Sequence, residues 1–290
     1  MDIRNLSGIS FDTIYQTFLE AFKDYAVDVN YMDARKLENR AIKNGFDPVF
    51  SAGAFVDEKL VGFTLVGIDR EYIRPSAFDI MTGIIKDYRG KGMAGKMFEK
   101  IRETLQSSDI QHFYLEVLQE NQAAVKAYQK EGFEITRSFN CFELAMEEFI
   151  PVMKLNIPLT FKEIDKKELD DYATFADWHP SWENSFSAVQ RIPDEVVLIS
   201  ASYSIKKVGM IIYYPALNWI MNLLVDPVYR NMGVGTALIE RLISRMGGKT
   251  EKVRFLNIPD NDHALNDFLH QSGFTLLTKQ YEMMLDIHSN

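Results

Sequence analysis

The stretch DYRGKGMAGKM, Asp87–Met97, can be read in two ways. Gly90, Gly92 and Gly95 spell G-x-G-x-x-G, the pattern of a dinucleotide-binding turn. Arg89, Gly92 and Ala94 spell R-x-x-G-x-A. The chain contains a second version of the stretch, VDPVYRNMGVGTAL, Val225–Leu238. Numbering alone relates the two: Arg89 maps onto Arg230 (230 − 89 = 141), and the same shift carries Gly92 onto Gly233 and Ala94 onto Gly235. It also puts Asn231 where Gly90 stood, and Ala237 falls one position beyond that of Gly95. What both copies keep is R-x-x-G-x-[GA]. A dinucleotide fold would also set its glycines after the first strand of a βαβ unit. Here at least two strand-like runs precede the loop, so the dinucleotide reading is set aside.

The repeat extends beyond the loop. The same shift takes Leu115 onto Leu256, Val117 onto Ile258, and Gly132-Phe133 onto Gly273-Phe274. Several landmarks at one offset mean two copies of one module. Upstream, KLVGFTLV matches KKVGMIIY at an offset of 147 (Gly62 to Gly209), so the copies differ there by a six-residue indel. In the first copy, Phe11, Ile14, Phe18 and Phe22 recur at helical spacing over 10–24. Two strand-like runs flank the polar turn DEK, a hairpin signal. AFDIMTGII is a third such run, followed by the loop, a helix over about 93–105, the strand HFYLEVL, and a helix NQAAVKAYQKEG stopped at Gly132. FEITRSF and CFELAM read as two closing strands. The expected class is α/β with a mixed sheet, two modules in tandem over 1–150 and 151–290, joined near the proline-bearing stretch FIPVMKLNIPL.

The chain has 290 residues and a net charge of −9, which disfavours nucleic acid and anionic membranes as partners and favours a cationic one such as an amine. Its single cysteine, Cys141, forms no internal disulfide and reads as a small buried residue of a strand. The first residues lack a signal-peptide pattern, and no apolar run approaches the ~20 residues that span a bilayer. A cytoplasmic enzyme or binding protein is expected. The five histidines are scattered, and His263 with His270 reads as a surface pair rather than a metal site.

The loop's chemistry follows from its place. A strand delivers the chain to a tight turn that opens a helix, whose first amides lack internal partners. With the helix dipole they make an anion site. Lys86, Arg89, Lys91 and Lys96 surround it with positive charge, which suits a diphosphate.

GIIKDYRGKGMAGKMFEKI followed by LEVLQENQAAVKAYQKEGF resembles the GNAT superfamily of N-acetyltransferases, and VDPVYRNMGVGTALIERLI resembles that family's first motif again. The resemblance implies acetyl-CoA as cosubstrate, and the lack of a cysteine–histidine cluster leaves no metal expected. The resemblance also implies that the amides of Arg89, Gly90, Lys91, Gly92, Met93 and Ala94 hold the diphosphate. Backbone groups of Ile84 and Ile85 would then meet the pantetheine arm, and Asn121, besides capping its helix, would contact the cofactor. Tyr128 matches the tyrosine that protonates the departing thiolate in many members; on an amphipathic helix it also reads as a core residue. Glu116, in LEV, matches a glutamate that serves as base in some members, and it reads equally as an ion-paired carboxylate. Asp79, in FDIM, is the second candidate base.

The second copy keeps Arg230, Gly233 and Gly235, but Tyr128 becomes Leu269 and Glu116 becomes Asn257. The first module is therefore expected to be catalytic. The second is expected to be degenerate, either still holding CoA or only shaping an acceptor pocket. The variable segment DWHPSWENSF, 177–186, reads as an acceptor-pocket element or as a loop with aromatics packed on the core. Tyr25, Tyr31, and Asp28 or Asp33 occupy the corresponding place in the first module as candidates to line an amine pocket. The resulting expectation is an N-acetyltransferase acting by direct attack of a primary amine, small or peptidic. The alternative is a non-catalytic CoA-binding or interaction protein.

Overall fold

The computed structural model describes residues 1–24, 32–192, 196–248 and 250–289. The first half runs β1 (Asp2–Asn5), α1 (Phe11–Phe22), α2 (Ala34–Lys43), β2 (Ala52–Val56), β3 (Lys59–Asp69), β4 (Ser76–Ile84), α3 (Met93–Gln106), β5 (His112–Leu118), α4 (Gln122–Lys130) and β6 (Glu134–Ala145). The second half runs β7 (Thr160–Glu163), α5 (Phe186–Arg191), β8 (Val197–Tyr203), β9 (Lys206–Tyr214), β10 (Trp219–Val225), α6 (Val234–Met246), β11 (Lys252–Pro259), α7 (His263–Gln271) and β12 (Thr275–Asp286). The fold is α/β with a mixed sheet and two like modules in tandem.

Local chemistry sets the boundaries. Ser10 Oγ accepts from the Thr13 amide to start α1, and Asp33 Oδ1 accepts from the Lys36 amide to start α2. That engages Asp33 as a helix cap rather than in a pocket; Tyr25, Asp28 and Tyr31 lie outside the described residues. The β2–β3 hairpin turns through Asp57 and Glu58, both at positive φ, as a two-residue turn requires. FEITRSF and CFELAM form one continuous strand, β6, rather than two, since no turn residue interrupts the run.

All twelve strands form one sheet, in the order β1-β2-β3-β4-β5-β12-β6-β11-β10-β9-β8-β7. Each half gives its last strand to the other: β12 pairs with β5, and β6 pairs with β11. The halves meet where β6 runs antiparallel to β12. One core lies under α3 and α4, another under α6 and α7. A third is shared: Phe18, Phe63 and Phe78 of the first half pack with Tyr172, Trp182 and Trp219 of the second. Trp182 stacks on Phe78 at 5.2 Å between ring centres, so this part of DWHPSWENSF does pack on the core.

Two features prepare the site. The ladder between parallel strands β4 and β5 runs only from Ser76↔His112 to Phe78↔Tyr114, and that between β10 and β11 stops after Ile220↔Phe255. In each copy a bulge follows at once. Ile80 is the extra residue against β3, and Met221, its counterpart in the repeat, is the extra residue against β9. A bulge bends its strand and ends pairing on one side, so each module opens a cleft at its centre.

Candidate functional site

At the mouth of the first cleft stands the loop before α3. Gly90 and Gly92 both sit at φ +73°, and a Cβ on either would meet nothing within 4 Å. Glycine is needed there for the left-handed backbone, and the space above stays open. In the second copy Asn231 adopts φ +58° and Gly233 φ +84°. Asparagine tolerates this region better than other side chains, so the loss of Gly90's counterpart preserves the backbone shape. The surroundings differ, however. A Cβ on Gly233 would lie 2.8–2.9 Å from backbone atoms of Lys154 and Leu155. Asn156 N–H also donates to Met232 O at 3.4 Å. The segment joining the halves thus packs on the second loop at Gly233, while Asn231, Gly233 and Gly235 still line the second module's groove.

The arginine of the motif has the same task in both copies. Arg89 donates from Nε to Ile84 O (2.9 Å) and from Nη2 to Ala21 O (2.5 Å), and pairs with Asp24 at 2.9 Å. Arg230 donates to Val225 O and Phe175 O and pairs with Asp177 at 2.6 Å. Each guanidinium ties the end of a strand to the segment flanking the cleft. The expected cluster of charge for an anion is therefore partly engaged: Lys86 also reaches Asp24, at 3.4 Å, and Lys91 lies over the Tyr88 ring. The backbone from Gly90 to Ala94 stays open around its two left-handed glycines. Ile85 N–H donates to Val61 O, so it faces β3 and not the cleft. Asn121 Oδ1 accepts from the Ala124 amide, the expected cap of α4.

Inside the first cleft, Tyr128 Oη donates to Asp79 Oδ2 at 3.4 Å, and Thr82 Oγ1 donates to the same carboxylate at 3.0 Å. Burial pushes Asp79 up to about 6, with the Thr82 and Tyr128 hydrogen bonds pulling the other way. Asp79 also lines a cavity of about 390 Å³ at the seam between the halves. Glu116 lines the same cavity and does not share the Tyr128 contact. Its Oε2 accepts from Asn257 Nδ2 at 2.6 Å, and its Oε1 is enclosed with no hydrogen-bond partner among the described residues. Burial, then the charges of Glu183 and Glu282, push Glu116 up to about 8, against the opposing Asn257 hydrogen bond. Glu282 stands directly opposite Glu116 on β12 but is ion-paired with Arg137.

The opposite wall is built by residues that the sequence did not single out. Glu183 accepts from Arg40 at 2.7 Å and from the fully buried Lys43 at 3.0 Å, and Lys43 Nζ also donates to Glu183 O. Burial raises Glu183, but the two cations outweigh it and hold the carboxyl well below its usual range. Glu183 and Asn184 come from DWHPSWENSF, so that segment both packs and lines the cavity. The second module has its own groove, of about 190 Å³, walled largely by apolar side chains such as Phe175, Leu224 and Phe268. At the position of Tyr128 it has Leu269, fully buried.

A family model described as Acetyltransferase (GNAT) family matches residues 11–133 and again 158–274. The chain belongs to the GNAT acetyltransferase family. Over 80 residues this GNAT protein is 30% identical to the uncharacterized N-acetyltransferase YycN of Bacillus subtilis (strain 168). That match covers 28% of this chain and 51% of YycN, so it spans about half the length of that relative. Among solved structures, a GCN5-related N-acetyltransferase from Sphaerobacter thermophilus superimposes with a TM-score of 0.73 at 13% identity, covering 100% of this chain and 96% of that one. A tandem GNAT protein from the clavulanic acid biosynthesis pathway gives the same TM-score and identity, covering 100% and 99%. At that identity the likeness concerns the fold. Among the described residues, no group of three or more side chains is arranged to hold a metal, and no helix is long and apolar enough to cross a membrane.

Proposed function

We propose that this GNAT protein transfers an acetyl group from acetyl-CoA to a primary amine, and that the first half does the chemistry. The diphosphate would rest on the amides of Arg89–Ala94, and the arm would enter the cleft between β4 and β5. The observation that carries the reading is the Asp79–Tyr128 hydrogen bond just past the end of the β4–β5 ladder, with Asp79 lining the seam cavity. Attack needs a neutral amine, and the departing sulfur needs a proton. Asp79, raised to about 6, is ionised at neutral pH yet basic enough to take the amine's proton. Tyr128 supplies a proton to the sulfur. The hydrogen bond between them lets the proton gained by Asp79 return to the tyrosinate, which closes the cycle. Glu116 bonds Asn257 of the other half while Tyr128 bonds Asp79, so a proton taken by Glu116 has no direct return to the tyrosinate, and Glu116 suits the base role less well.

The second half contributes differently. The joining segment packs on its loop at Gly233, and its Tyr128 and Glu116 counterparts are Leu269 and Asn257. It serves as the far wall of the seam cavity and carries no second catalytic centre. The test is Tyr128→Phe, with thioester loss followed at saturating acetyl-CoA over a panel of amines. Turnover is expected to fall by ~10²-fold with acetyl-CoA affinity retained. Unchanged turnover rejects the acid role. Acetyl-CoA binding without turnover on any amine would make the chain a CoA-binding protein instead.

A further inference from the structure

We propose that the acceptor is a small primary amine on an apolar stem, docked in the seam cavity with its nitrogen on the Glu116 carboxyl, which Asn257 of the other half holds in place. This rests on the N-acetyltransfer reading and reassigns Glu116 from base to amine recognition.

Size is the first argument. A volume of about 390 Å³ lies at the lower end of the ~300–1,000 Å³ typical of small-molecule pockets. It suits a compact molecule rather than a stretch of polypeptide. The lining is the second. Phe78, Ile80 and Leu118 from the first half face Trp219, Leu256 and Leu277 from the second, giving an apolar stem something to pack on.

The third argument is the unmatched oxygen. Glu183, Glu282 and Asp79 each have their donors. Among the described residues Glu116 has one donor, Asn257, and its enclosed Oε1 has none. An unsatisfied enclosed acceptor costs about 1–3 kcal/mol, and an ammonium or amine N–H is the group that relieves it. The cations nearby are already taken: Arg40 and Lys43 by Glu183, Arg254 by Glu143. An arriving ammonium therefore finds a carboxyl that no described cation pairs with. Asn257 is the repeat's own counterpart of Glu116, and it reaches Glu116 because the exchanged strands bring β5 and β11 to one seam. With Asn at position 257, the equivalent side chains of the two modules meet in a hydrogen bond rather than as two like charges.

The proton balance gives a direct readout. Near pH 7 the docking carboxyl carries its proton about nine times in ten. Placing a protonated amine on it gives an ammonium–carboxylate pair and sends that proton to the buffer. Calorimetry on the full chain with CoA present, titrated with benzylamine in two buffers of different ionisation heat, measures the release. About 0.9 proton per benzylamine is expected at pH 7, falling toward zero by pH 9. Glu116→Gln should abolish the release and weaken binding at least tenfold. Leu256→Trp, filling the cavity from the second half, should weaken benzylamine at least tenfold with acetyl-CoA affinity unchanged within twofold. No benzylamine binding, proton-silent binding, or indifference to Leu256→Trp overturns the proposal. So does acetylation of a free tetrapeptide with kcat/KM equal to that of benzylamine, although that result leaves acetyl transfer standing. Benzylamine binding with proton release but no transfer would sustain the docking site and sink the transferase reading.

Discussion

Replacing Asp79 by Asn asks whether this carboxylate accepts the amine's proton. In the complex with both substrates, kcat tracks the ionised fraction of the base. With Asp79 near 6, that fraction is about 0.9 at pH 7 and about 0.1 at pH 5, so kcat should fall roughly tenfold between them. Between pH 7 and 9 it should rise by only about a tenth. A base titrating near 8 would instead give a roughly tenfold rise over that upper range. Asp79→Asn preserves the shape of the side chain and an acceptor for Tyr128 and Thr82, but not the basicity. A drop in kcat of ~10²–10⁴-fold and loss of the acid limb are expected. The assay is direct loss of thioester ultraviolet absorbance with saturating acetyl-CoA and an alkylamine that stays protonated through pH 9. If wild-type kcat is flat from pH 5 to 7, or the Asn variant keeps the same limb, Asp79 is not the base.

Calorimetry with CoA should give one site per chain, because the joining segment packs on the loop at Gly233; two equal sites would contradict that. Gly92→Ala should lose about 1–2 kcal/mol from left-handed backbone strain alone, and Gly233→Ala more, since its Cβ would also overlap the Leu155 backbone at 2.8 Å; denaturant midpoints rank the two. Glu116 is protonated in the fold at pH values where the unfolded chain ionises it, so it destabilises increasingly as pH rises from about 4.3 toward 8. Glu116→Gln should therefore raise Tm, and by more at pH 8 than at pH 5. Glu183 has the opposite sign: its lowered value contributes stability above the unfolded carboxylate range and loses it as pH falls through the folded one. Lys43→Met should remove ~3 kcal/mol at pH 7 by leaving Glu183 with one cation, as a chemical unfolding curve would register.

The sequence made the fold legible because the repeat was a control within one chain. Comparing two copies set aside the dinucleotide pattern, though it also discounted Gly90, whose left-handed backbone the second copy keeps through Asn231. Tyr128 and Asp79 are singled out by the family resemblance and not by the repeat, and the fold brings the two within hydrogen-bond reach. The sequence could not show that Arg89 serves as a clamp. The partners that engage it, Ala21 O and Asp24, sit 68 and 65 residues away and leave no local mark. Lys43 was equally silent, and Glu183, though inside the segment read as an acceptor-pocket element or a core-packed loop, gave no sign of a lysine partner 140 residues away.

The exchange of the last strands is the deeper reason that the site outran the sequence. A single constant shift between the copies invites a reading of two self-contained modules, one active and one worn down. Yet β12 completes the first half and β6 the second, so each half's cleft is floored by a strand from the other. Residues of the second copy therefore build part of the first half's surroundings. Asn257 hydrogen-bonds Glu116, Glu183 charges the same cavity, and Trp219 walls it. An Asn257→Leu change, remote from the loop and in the opposite half of the chain from Tyr128, should raise the docking pKa of Glu116 by removing the hydrogen bond that favours its carboxylate. The acid limb of kcat/KM for the amine should move to higher pH, with the kcat limb set by Asp79 unmoved. Asn257→Gln, which can still donate, should restore part of the shift. If kcat/KM in Asn257→Leu keeps the wild-type pH profile, the second half is only a scaffold.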